Sequence, residues 1–313
     1  MKKTILIGSN GGLTGVFLAK QFREGGRYHL VGTDSSTTSV GKFFVDKQYF
    51  VPDAKLGLEF VKELAKIFNA ERVDYYFPTH STEIRQVSRY ADFLRSLTNT
   101  RFLVCPYETF EALEDKLIAT ANLSSKGVRV PKIIHNAPEN LPVIMKRRFG
   151  SGGSGAQVIN SKEVLSSLQA NKDSVSFFEF IGGDEFTVDC LFDSEGALIG
   201  FNNRRRVKTL GGAVVITETA NEVPIASDLH RIGSAWAFRG CVNFQYILKE
   251  SVPYFIDINL RFPSGGLPLT VEAGLNVPVL MIDIMDGRNI TPIPVIETKK
   301  RMYRYFEEIY EDF

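Results

Sequence analysis

The 313-residue sequence predicts an α/β protein whose C-terminal part turns to α+β. Three observations carry that expectation. Over the first 110 residues, apolar strand-like runs alternate with amphipathic helical stretches, the rhythm of a parallel sheet wrapped by helices. From Glu185 to about Asp283, β signals dominate and two helical stretches pack among them. Between these parts lie one helical stretch and two strand-like runs separated by a Gly/Ser-rich segment. No internal repeat or low-complexity linker interrupts the chain.

Thr4–Ile7 opens the chain as a buried strand. Gly8, Ser9, Asn10 and Gly11 cut its apolar run short, so the lysine-bearing start reads as a first strand and not as a signal segment. Leu13–Glu24 reads as a helix, His29–Thr33 as a strand, Phe60–Phe68 as a helix, and Val73–Pro78 and Phe102–Cys105 as strands. A helical pattern begins near Thr109 and runs through Leu123. Val143–Lys146 and Ser176–Phe180 follow as strands, then Phe186–Phe192, Val214–Glu218, Val242–Leu248 and Tyr254–Ile258. Asp228–Phe238 and Pro278–Met285 read as helices. The tail Arg301–Phe313 mixes aromatics with acids and reads as a closing strand, a helix being the alternative.

Composition narrows the function classes. Hydrophobic residues make up 44% and charged residues 23%, ordinary for a globular protein. A net charge of +1 gives no case for bulk electrostatic binding to nucleic acid. No apolar run reaches the length that crosses a bilayer. Cys105, Cys190 and Cys241 are far apart and in no metal spacing, so they read as reduced thiols of a cytoplasmic protein. With four scattered His, a zinc site is not expected.

The richest stretch is Tyr254-Phe-Ile-Asp-Ile-Asn-Leu-Arg261. Strand period puts Asp257, Asn259 and Arg261 on one face and Ile256, Ile258 and Leu260 on the other. A carboxylate, an amide oxygen and a guanidinium need partners in a core. They suit a Mg²⁺-bound polyphosphate, although an edge strand with a polar outer face has the same pattern.

Upstream, Pro142-Val-Ile-Met-Lys146 is a buried strand ending in a lysine, and Gly150-Ser-Gly-Gly-Ser-Gly155 follows closely. Bare glycines let backbone amides close over phosphate oxygens while Lys146 neutralises them. Ser176–Asp189 reads as two strands joined by Gly182-Gly183, with Glu179 flanked by apolar residues and Glu185 opening the second strand. Such a segment fits the edge of an adenine and a ribose, or an ordinary hairpin. Asn202–Gly212 holds Arg204, Arg205 and Arg206, a solvated charge run or a set of phosphate or carboxylate clamps. Pro78-Thr-His-Ser-Thr-Glu83 follows a strand of the first part. His80 and Glu83 there meet substrate, with turn capping as the alternative for His80.

The run Ile5–Gly15 with Asp34 has the outline of a dinucleotide loop, but its glycines at 8, 11, 12 and 15 miss the strict spacing. A nicotinamide-dependent oxidoreductase, a tight structural turn and a loop that holds a non-nucleotide substrate all fit it.

Taken in order, these pieces resemble the ATP-grasp superfamily over nearly the whole chain, in its carbamoyl-phosphate-synthetase-like branch of carboxylate–amine ligases. The resemblance implies a Rossmann-like pre-ATP-grasp domain over 1–110 and an ATP-grasp domain over 111–313, with a lid at about 120–181. It assigns ATP to Lys116, Lys146, Gly152, Gly153, Ser154, Glu179, Phe180, Ile181 and Glu185. It assigns one or two Mg²⁺, or Mn²⁺, to Gln245, Asp257 and Asn259. Arg261 and Lys146 take catalytic roles, and Arg204, Arg206, His80 and Glu83 meet substrate. It implies amide formation through an acyl phosphate, small carboxylate and amine partners, and room for a homodimer. Two departures stand out. Gln245 replaces an acid that many members carry, and Asp257 is shorter than the usual Glu. A degraded metal site of this kind also suits a non-catalytic nucleotide-binding protein.

Overall fold

Ile5, Leu6 and Ile7 are fully buried because the first strand lies inside a parallel sheet. The computed structural model describes residues 2–135, 141–149, 156–169 and 174–312. The first layer runs β1 (Lys3–Gly8), α1 (Leu13–Arg23), β2 (Tyr28–Asp34), β3 (Lys47–Phe50), α2 (Leu58–Ala70), β4 (Tyr75–Phe77), α3 (Ser81–Arg89) and α4 (Ala91–Leu97). Its sheet has the order β3-β2-β1-β4, parallel throughout. Leu6 packs one face with α2, and Ile5 and Ile7 pack the other. That division follows from the period of two in a strand.

Phe102–Cys105 does not form the expected strand. Only Arg101 bridges to Tyr75. Beyond it the backbone is diverted, the Cys105 carbonyl accepting from Ser88 Oγ at 2.6 Å. The single helical pattern expected from Thr109 to Leu123 is two helices, α5 (Tyr107–Glu114) and α6 (Lys116–Ser125). Asp115 breaks it by turning its carboxylate onto the amides of Leu117 and Ile118, a new N-cap.

A small antiparallel sheet follows, with order β5-β8-β6-β7. It consists of β5 (Ile133–Ile134), β6 (Val143–Arg147), β7 (Gln157–Ile159) and β8 (Val175–Glu179), with α7 (Lys162–Gln169) between the last two. The rest of the chain builds a six-stranded sheet, β13-β12-β9-β10-β11-β14. Its elements are β9 (Asp184–Phe192), β10 (Leu198–Leu210), β11 (Ala213–Thr219), α8 (Ala226–Gly233), β12 (Gly240–Lys249), β13 (Val252–Asn259), α9 (Leu267–Ala273), α10 (Val277–Met285) and β14 (Arg301–Tyr303).

Four further differences from the sequence reading matter. The arginine cluster Arg204–Arg206 belongs to β10, a 13-residue strand hidden by its charge. The helix expected to reach Phe238 stops at Gly233. Among the described residues of the tail, only Arg301–Tyr303 pairs as a strand, on β11. The Gly182-Gly183 link is not a hairpin turn, because β8 and β9 lie in different sheets. Gly183 is required there, since a Cβ would stand 2.2 Å from the Leu248 carbonyl oxygen. Among the described residues, no single helix is long and apolar enough to cross a membrane.

Candidate nucleotide site

The six-stranded sheet has one apolar and one polar face. Phe186, Val188, Cys190, Val242, Phe244 and Tyr246 form a buried core on one side. Strand register lines up polar residues on the other. Asp257 lies beside Gln245, Gln245 beside Thr187, and Thr187 beside Arg204. The next row runs Asn259, Asn243, Asp189, Asn202. A polar carpet over four strands is costly unless its groups bond one another or a ligand.

Lys146 spans the gap between the two antiparallel sheets. It stands on β6, and its Nζ donates to the Ile256 carbonyl on β13 at 2.8 Å. Burial pulls its pKa below the ordinary lysine value, while Asp257 pulls it up. Lys116, the first residue of α6, places its Nζ 3.9 Å from Asp257 Oδ1. The Asp115 cap fixes that residue, and the Lys116 amide donates to the Arg148 carbonyl. Arg148 in turn grips Asp115 through Nε and Nη2 at 3.0 and 2.8 Å. Two ammonium groups therefore converge on one carboxylate.

Asn259 Nδ2 donates to Asp257 Oδ2 at 3.2 Å. Arg261 lies just past β13, and its Nη1 donates to the Phe262 carbonyl at 3.0 Å. Burial pushes its pKa down and Asp257 opposes that shift. Glu179 ends β8, Phe180 is partly exposed and Ile181 is buried against the link to β9. Glu185 opens that strand with its Oε1 2.9 Å from Arg206 Nε. Gly152, Gly153 and Ser154 lie outside the described residues.

Four residues expected at substrate have other duties. Arg204 is 1% exposed and held by both oxygens of Asp189, at 2.8 and 3.1 Å. Arg206 is spent on Glu185 and on the Gly212 carbonyl. Glu83 is buried, accepting from Tyr76 Oη at 2.6 Å and from the Thr79 amide at 3.1 Å. His80 is the N-cap of α3, with Nδ1 accepting from the Thr82 amide. His80 and Glu83 therefore serve the helix start, which for His80 is the capping alternative of the sequence reading.

The dinucleotide outline is closed by its own residues. Asp34 Oδ2 accepts from the Gly11 amide at 3.1 Å and from Ser39 Oγ at 2.8 Å. Its Oδ1 accepts from the Ser36 amide at 3.0 Å. The carboxylate that would meet a ribose is used inside the loop.

Thr187, Asp189 and Asn243 escaped the sequence reading. The signal was present: Glu185, Thr187 and Asp189 alternate with Phe186 and Val188, and Asn243 and Gln245 flank Phe244. Period two places all five on the site face.

Among the described residues, no three His, Cys, Asp or Glu converge as a metal site. Asp257 with the amide oxygens of Gln245 and Asn259 offers one charge and three hard donors. That set fits Mg²⁺ arriving with a polyphosphate, whose own oxygens complete the shell. It does not suit a metal held by protein alone.

Comparison with known proteins agrees with this layout. Residues 173–308 match the family model described as ATP-grasp in the biosynthetic pathway with Ter operon. The carbamoyl phosphate synthase large chain of Thermoplasma acidophilum is 20% identical over 90% of the chain, which spans only 29% of that relative. The biotin carboxylase of Campylobacter jejuni, solved as a β-γ-ATP complex, superposes with a TM-score of 0.71 at 18% identity, covering 96% of this chain and 74% of that one. The L-amino acid ligase of Bacillus licheniformis gives a TM-score of 0.69 at 15% identity, covering 91% and 74%. The overall fold is thus shared with these solved structures, and residues 173–308 carry the likeness to the ATP-grasp family.

Proposed function

We propose that the protein is an ATP-dependent carboxylate–amine ligase that forms an amide through an acyl phosphate and releases ADP and phosphate. The convergence of Lys116 and Lys146 on Asp257, at the junction of the two antiparallel sheets, carries this reading. Two cations beside a hard-oxygen donor set match the charge of a metal-bound triphosphate.

The chemistry follows from charge. A carboxylate oxygen attacks the γ-phosphorus, the bond to the β-bridging oxygen breaks, and ADP leaves. The amine nitrogen then attacks the acyl carbon, phosphate leaves and the amine's proton passes to solvent. Phosphoryl transfer needs positioning and neutralisation more than covalent help. Lys116 and Lys146 hold the phosphates, and Arg261, desolvated beside Asp257, faces the charge that grows during transfer. Bound Mg²⁺, or Mn²⁺ in its place, supplies Lewis-acid polarisation of the phosphates. With Asp257 as the single carboxylate in that set, one metal ion fits better than two.

Hydroxylamine trapping tests the proposal. The protein with Mg-ATP, a panel of small acids and hydroxylamine should yield acid-dependent hydroxamate together with ADP. ADP release without hydroxamate would contradict an acyl phosphate on these acids, and no turnover despite Mg-ATP binding would favour a non-catalytic nucleotide-binding protein.

A further inference from the structure

All three arginines of β10 have acidic partners. Arg204 holds Asp189, Arg205 holds Asp184 and Glu218, and Arg206 holds Glu185. Arg304 differs. It follows β14 directly, its amide continues the ladder to the Val215 carbonyl, and its Nη2 donates to the Gly265 carbonyl at 2.8 Å. It makes no ion pair among the described residues. Burial alone draws its pKa downward.

Its surroundings are built for close approach. The Pro263–Gly266 turn leaves the end of β13 after Arg261 and crosses back toward β10 and β11. Gly265 has φ +81°, and its Cβ position would be 3.2 Å from the Val214 carbonyl oxygen. A Cβ on Gly266 would sit 2.1 Å from the Arg204 guanidinium carbon. Two guanidinium groups thus press on one glycine turn. Arg304 Nε and Arg204 Nη1 are both shut off from water with no acceptor among the described residues. Orphaned charged donors are costly, and an arriving anion relieves that cost.

We infer that Arg304 and the Gly265–Gly266 turn form a subsite for a substrate carboxylate remote from the reacting one. At a strand spacing of about 4.8 Å, β10 lies roughly 14 Å from β13, so this subsite is remote from the Asp257 end of the face. At least one of the two small molecules therefore carries an unactivated carboxylate, as an amino acid acting as the amine or a dicarboxylic acid acting as the acid does. Arg304 is a specificity residue, and the inference rests on the ligase reading.

The test uses the full chain, wild type and Arg304→Gln, with Arg304→Lys as the conservative variant. Succinate, glutarate and L-glutamate, each beside its methyl ester, are titrated in the presence of Mg²⁺ and a non-hydrolysable ATP analogue. At least one free acid should bind the wild type, about 10- to 100-fold more weakly to Arg304→Gln, and with partial recovery in Arg304→Lys. The matching ester should bind wild type and Arg304→Gln alike. Affinity for the ATP analogue should be equal in all three proteins. No saturable binding of any probe to the wild type, or equal loss for acid and ester, would overturn the subsite. Failure of the nucleotide reading would appear separately, as no analogue binding to any of the three.

Discussion

Lys146 is the residue on which folding and the proposed function pull in opposite directions. Burial lowers its pKa below the 10.5 of an exposed lysine, so the unfolded chain holds the proton more tightly than the folded one. Its contribution to stability therefore rises with pH in the window between the folded and ordinary values, and its penalty is complete below that window. Lys146→Met should leave thermal stability at neutral pH unchanged or higher while weakening Mg-ATP binding about 10- to 100-fold, as paired melting and titration experiments will read. A triphosphate favours the charged form. Nucleotide affinity should fall as pH rises through the folded pKa, earlier than an exposed lysine would allow. Asp257→Asn removes the one carboxylate among the assigned metal donors and should abolish most of the Mg²⁺ dependence of ATP binding, measured with and without metal. These residues were legible in the sequence because Lys146 ends an apolar strand and Asp257, Asn259 and Arg261 alternate along another. The ion pairs of Arg204 and Arg206 were not legible, since a run of arginines gives no sign that Asp189 and Glu185 lie on the neighbouring strand.

At the scale of elements, two short connections set the geometry of the site. Asp115 breaks one helical pattern into α5 and α6, caps the second and pairs with Arg148. Burial works against its ionisation, but Arg148 and the two capping amides outweigh it, so its pKa lies below the ordinary carboxylate value. The stabilisation is present above that ordinary value and is lost as pH falls through the folded pKa. Asp115→Ala should cost about 1–2 kcal/mol at neutral pH, and less in acid, by chemical denaturation. The Gly182-Gly183 link is the second connection. Gly183→Val would drive a side chain onto the Leu248 carbonyl and tilt the small sheet away from the large one, stretching the Lys146–Ile256 bond. Weaker ATP binding with little change in the first layer's hydrogen exchange is the expected outcome. Local pattern found most strands and helices within a few residues. It failed where partners are distant: β8 and β9 look like a hairpin because nothing local says that they join different sheets.

For the whole molecule, Asp286 at the end of α10 ties the C-terminal helices to the parallel sheet. Its carboxylate accepts from Tyr75 Oη at 2.6 Å and pairs with Lys3, Arg101 and Arg288. Asp286→Ala should lower stability by about 2 kcal/mol, a shift in melting midpoint of roughly 4–8 °C. That contact joins residues more than 180 positions apart in sequence, between Arg101 and Asp286, and no local pattern announces it. The order of the motifs along the chain did announce the fold, which the matched solved structures share. The central claim is that the junction of the two antiparallel sheets, with Lys116 and Lys146 facing Asp257, binds metal-bound ATP. Calorimetric titration of the wild type with ATP, with and without Mg²⁺ and beside Lys146→Ala, tests it most directly. Saturable binding that requires Mg²⁺ and is lost in the variant is the expected result. Binding indifferent to both the metal and Lys146, or binding of NADH with no response to ATP, would contradict it.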